Sequence, residues 1–116
     1  MNIAVGLSGC KLSATALFRS ADYDGQGEIR AALILHSSEA EYYFEALHRL
    51  KGEIEEESNE IFIWENKDGI KRCQVYLRTT ADISQRSEWQ RQHEWLLEKL
   101  DRMYATFSPR LRSLKG

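Results

Sequence analysis

The chain has a single proline, Pro109, and only two cysteines, Cys10 and Cys73, in 116 residues. Two thiols without metal-ligand spacing exclude a cysteine zinc site and a disulfide framework, and they suit a reducing cytoplasm. No apolar run exceeds Ala31–Leu35, far short of the ~20 residues needed to cross a bilayer. The segment Met1–Leu12 lacks the charged start, apolar core and small-residue cleavage site of a secretory leader. Internal repeats and low-complexity tracts are also absent. Neither sign of charge dominates: 16 Lys and Arg against 18 Asp and Glu leave a net charge of −2, which argues against strong non-specific attraction to nucleic acid. What remains is 42% hydrophobic and long enough for one domain over 1–116 with a core of its own.

Periodicity orders the chain as strand, strand, strand, helix, strand, strand, helix. Ile3, Val5 and Leu7 alternate up to the turn Ser8-Gly9. A second strand is expected over Ala14–Arg19, and Asp24-Gly25 is a hairpin turn signal. The third strand, Glu28–His36, is apolar on both faces and therefore central. Ser37 or Ser38 can cap the next helix, with Glu41 spaced to complete a capping box from Ser38. That helix runs to about Glu57 with a buried stripe of Tyr43, Leu47, Leu50 and Ile54, widened by Ala40 and Phe44. Gly52 weakens that helix by about 1 kcal/mol relative to alanine, and Asn59 suits a left-handed stop. Strands over Ile61–Glu65 and Lys71–Thr79 flank a turn at Asn66–Gly69. The last helix runs from Ser84 to Phe107, where Ser108-Pro109 ends it. The expected class is α+β, a mostly antiparallel sheet of about five strands with both helices on one face.

The last helix carries two tryptophans on different sides. At about 100° per residue, Trp89, His93, Leu96, Leu97, Leu100, Met103, Tyr104 and Phe107 share one stripe. Trp95 falls opposite, among Arg91, Glu94, Glu98 and Arg102. Tyr42 likewise sits off the stripe of the first helix. Either Trp95 packs on Tyr42, or Trp95, Tyr42 and Arg91 belong to an interface with a second copy or a partner protein, where tryptophan and tyrosine commonly dominate.

A second candidate surface is the wet side of the final strand, where Arg72, Tyr76 and Arg78 project together. Arg30 joins them if its strand lies alongside. Arginine with an aromatic on an open sheet can neutralise and stack single-stranded nucleic acid. The basic tail, Arg110, Arg112 and Lys115, would extend such a surface, whereas the acidic run Glu53–Glu57 reads as a solvated helix face.

Catalytic patterns are weaker. Glu65-x-Lys67, with Glu55 or Glu56, superficially matches a metal-dependent nuclease, but Glu-Asn-Lys-Asp-Gly is also what a strand end and hairpin turn look like. Cys10 with His36, His48 or His93 has no recognisable oxyanion motif or third group. Gly6–Lys11 lacks the length and terminal Ser or Thr of a phosphate loop. No catalytic residue, metal ligand or cofactor is assigned from these patterns.

Phe44-x-x-Leu47-x-x-x-Lys51-x-x-Ile54-Glu55, Phe62-x-Trp64, Glu88-Trp89, Trp95-Leu96 and Phe107-x-Pro109 resemble the prokaryotic domain-of-unknown-function family 4268. The similarity covers Phe44–Leu114, with Asn59 where a glycine is expected. The resemblance implies a module often placed behind restriction-endonuclease-like domains, in DNA transactions or defence. It supplies no catalytic residues. Taken together, the expectation is a cytoplasmic binding and self-association module, with nucleic-acid binding as the alternative and a nuclease third.

Overall fold

In the computed structural model of the chain, the described residues are 2–4, 9–17, 27–66 and 72–115. Five strands form one sheet in the order β1-β2-β3-β5-β4: β1 Asn2–Ala4, β2 Cys10–Leu17, β3 Glu28–Leu35, β4 Ile63–Asn66 and β5 Cys73–Thr80. Every neighbouring pair is antiparallel. Among the described residues three α-helices complete an α+β arrangement: α1 Ala40–Arg49 and α2 Lys51–Ser58 between β3 and β4, and α3 Trp89–Lys115 after β5. The Asp24-Gly25 turn and Val5–Ser8 lie outside the described residues.

The alternation of β2, β3 and β5 sends one set of side chains to a common core. Cys10 and Leu12 of β2, Ala31, Leu33 and Leu35 of β3, and Cys73, Val75 and Leu77 of β5 are all buried there. Tyr43 and Leu47 of α1, Ile54 of α2, and Leu100, Met103, Phe107 and Leu111 of α3 cover them. The opposite side, on which no described helix packs, holds the smaller buried group Ala32, Ile34 and Tyr76.

Several boundaries differ from expectation for identifiable reasons. β2 begins at Cys10, four residues before Ala14. It starts directly from Gly9, whose φ of +84° and missing side chain admit Ser37; a Cβ there would fall 2.4 Å from that residue's Cβ. The first helix is broken at Leu50, which has φ −97° and ψ 12°. The break turns the following residues out of register, so Leu50 is exposed rather than part of the stripe. The Ser38 capping box does not form; Ser37 Oγ accepts the Glu39 N–H at 3.2 Å instead. Asn59 adopts the left-handed conformation, φ 56° and ψ 37°, and stops α2 as expected.

The largest departure is at Pro109, which does not end the last helix but sits inside it. Proline removes one N–H and frees the carbonyl four residues earlier. That carbonyl belongs to Ala105, which is exposed, so water can satisfy it. Continuing the helix buries Leu111 completely.

Candidate functional site

The residues singled out for catalysis do not converge. Cys10 and Cys73 both face the core and flank Leu35 in register. Two strand spacings of about 4.8 Å separate their backbones, too far for a disulfide. Burial pushes the Cys10 thiol up to about 11 and raises that of Cys73, the reverse of what a nucleophile needs. His48 stacks on Phe44 and meets Trp64 edge-on, while His36 and His93 are exposed elsewhere. Glu65 lies on the helix-free side of the sheet and accepts hydrogen bonds from Gln74 Nε2 at 2.9 Å and Tyr76 Oη at 3.3 Å. Glu55 instead accepts the Phe62 N–H at 3.0 Å. Lys67 lies outside the described residues, among which no group of three or more His, Cys, Asp or Glu could hold a metal ion.

The acidic run and the basic tail meet each other. Arg110 Nη1 donates to Glu57 at 2.8 Å and Nη2 to Glu53 at 3.0 Å. The Arg110 hydrogen bond holds the Glu57 carboxyl below its ordinary pKa, and the same partner raises that of Arg110. Lys99 and Arg102 both reach Glu60 Oε1 at 2.7 Å. These pairs fasten α2 along one flank of α3, so Glu53–Glu57 is more than a solvated face. Arg110 is spent inside the fold, and Arg112 donates to Tyr104 Oη at 3.2 Å.

On the helix-free sheet face, β3 and β5 place Arg30 directly opposite Arg78. The Arg30 guanidinium lies 4.1 Å from the Tyr76 ring centroid and that of Arg78 5.9 Å from it. Glu28, fully buried, receives Arg30 Nη2 at 3.2 Å. Tyr76 is itself buried, and that burial is the main cause of its raised pKa. Arg72 sits at the approach to β5 and shares a hollow of about 340 Å³ with Arg30 and Gln74. Arg30, Tyr76 and Arg78 are thus brought together as expected, but Arg30 covers the ring that a base would stack on.

The two tryptophans of α3 have exchanged the environments expected of them. Trp95 is half-buried and packs against the main core, with Lys99 Nζ 5.9 Å from its ring. Its neighbours Ile29, Thr79 and Thr80 mark one end of the sheet. Tyr42 is 58% exposed, and its ring meets Tyr43 in the first turn of α1, at the other end. The structure therefore does not pair them. Arg91 points outward and bridges Glu88 at 2.6 Å. Trp89 is 49% exposed although it lies on the apolar stripe.

Two features account for these displacements. Because α2 is fastened beside α3, the buried arc of α3 turns toward Trp95 and Thr106. Beneath the first turns of α3, the core-facing side of β2 also shrinks from Leu12 to Ala14 and Ala16. A groove of about 360 Å³ remains there, lined by Ala14, Ala16, Ile29, Trp89, His93 and Leu96 among others. Trp89 closes one wall, its Nε1 donating to the Ile83 carbonyl at 2.7 Å and the Arg86 guanidinium 5.6 Å from its ring. The taper Leu12, Ala14, Ala16 was the signal for this groove in the sequence.

Among the described residues no helix is long and apolar enough to cross a membrane. No curated protein and no solved structure matches the chain. The model of the domain-of-unknown-function family DUF4268 matches residues 1–111, and the chain belongs to that family.

Proposed function

We propose that this chain is a non-catalytic binding module that associates with a second copy of itself through the outward flank of α3. The observation that carries this reading is the pair Leu97 and Tyr104, 43% and 39% exposed and seven residues apart, hence nearly in line along the helix. Half-exposed Trp89 adds a third large apolar side chain on the adjoining flank. Aromatic anchors of this kind dominate protein interfaces. Trp95, Tyr42 and Arg91 do not form one surface, so the anchor passes from Trp95 to Trp89 and Leu97, and Arg91, on the opposite side of α3, falls outside it. The setting we propose, a cytoplasmic prokaryotic DNA-defence or repair system, rests on the family resemblance.

Sedimentation velocity across a concentration series tests the self-association. The wild type should dimerise, and Leu97→Glu should weaken the dimer by about 2 kcal/mol without changing the circular dichroism spectrum. A wild type that stays monomeric at every concentration would overturn the reading.

A second reading, nucleic-acid binding at the sheet face, is favoured by the charge of that face. By register, Lys11, Arg30 and Arg78 lie there against Glu28 and Glu65, and Arg72 shares a hollow with Arg30. With Tyr76 covered by Arg30, binding would rest on phosphate contacts more than on base stacking, and would fall steeply with salt. Single-stranded oligonucleotide should bind at low salt, weaken between about 50 and 200 mM salt, and weaken further in Arg72→Ala. Salt-insensitive or absent binding counts against it.

A further inference from the structure

We infer that the groove beside Trp89 is a binding site for a small, uncharged, ring-bearing molecule. The site is preformed. Hydrogen bonding to the Ile83 carbonyl at 2.7 Å fixes the indole edge, which leaves the ring as a rigid wall. Gln92, also in the lining, has its amide N–H committed to the fold, Nε2 donating to the Asp82 carbonyl at 3.0 Å. The floor is Ala14 and Ala16 of β2 with Ile29 of β3, opposite Ala16 in register. An apolar cavity of about 150 Å³ accepts one benzene; the groove holds about 360 Å³, room for roughly two rings.

The absence of charge selects the ligand class. None of the described residues lining the groove is Asp, Glu, Lys or Arg, and His93 is the one ionisable group among them. An ion entering would lose its hydration without gaining a partner, whereas an uncharged ring would not. The indole offers such a ring an offset or edge-on contact, and the His93 imidazole can take or give one hydrogen bond to orient it. Trp89 and Leu97 border both this groove and the proposed dimer surface, but the floor lies on β2, away from Tyr104.

Calorimetric titration of the full chain with naphthol, and with naphthalene sulfonate as its charged counterpart, tests the site. One naphthol should bind per chain, with the sulfonate about tenfold weaker or worse. Ala16→Leu fills the floor and should lower naphthol affinity about tenfold while leaving the thermal midpoint unchanged or raised. Tyr104→Glu should leave naphthol binding unchanged even where it disrupts the dimer, so failure of the two readings can be told apart. The proposal is overturned by no saturable naphthol binding, by equal binding of the sulfonate, or by an Ala16→Leu chain that binds as the wild type does.

Discussion

Replacing Phe107 by alanine is expected to lower the free energy of unfolding by about 4 kcal/mol, read from urea denaturation. Phe107 has no exposed surface and is the point where α3 meets the chain around β4. Its ring stands edge-on to Phe62 at 5.3 Å and to Trp64 at 6.4 Å. Trp64 in turn meets Phe44 and His48 of α1 at 6.0 and 5.3 Å, so one truncation opens a cavity facing both α1 and α3. Domains of this size are stable by only about 5–15 kcal/mol, and the thermal midpoint should fall by roughly 15 °C. Trp89→Ala is the matching control. It removes a larger side chain from the same helix stripe, yet should cost about 1 kcal/mol or less because that indole is half in water. Equal losses for the two variants would mean that the burial described for α3 is wrong.

That contrast also shows where the sequence was legible. Strands with one wet face announced themselves: Cys73, Val75 and Leu77 alternate inward, and β3, apolar on both faces, is central in the sheet. Asn59 needed only its own backbone preference. The misses concern tertiary choices that no local pattern carries. The α3 stripe is wide enough to be buried along either edge, and ion pairs with Glu53, Glu57 and Glu60 of a neighbouring segment decide which. Pro109 reads as a terminator locally, but burying Leu111 offsets one lost backbone hydrogen bond. At the sheet face, the meeting of Arg30 with Tyr76 followed once β3 and β5 were known to be neighbours. That the guanidinium would cover the ring did not, because this depends on Glu28, which no reading of β5 brings into view.

Glu28 is accordingly the residue whose loss should most disturb that face. Glu28→Ala is expected to cost about 3 kcal/mol, measured by urea denaturation at neutral pH. Its carboxylate is fully buried and receives Arg30 Nη2 at 3.2 and 3.4 Å. The Arg30 side chain is only 17% exposed, and its Nε already lacks a hydrogen-bond partner. Without Glu28, the Tyr76 ring 4.1 Å away must carry a largely desolvated cation, and a cation–π contact returns only about 2 kcal/mol, less than the several kcal/mol of its desolvation. The charge, not the lost contact, is then the source of the cost. Glu28→Ala combined with Arg30→Met should therefore be more stable than Glu28→Ala alone, since removing both members of a buried pair costs less than stranding one. If the double variant is the weaker of the two, Arg30 must be held by the ring and the strand around it rather than by Glu28. Uncovering Tyr76 for stacking would then require displacing Arg30 itself.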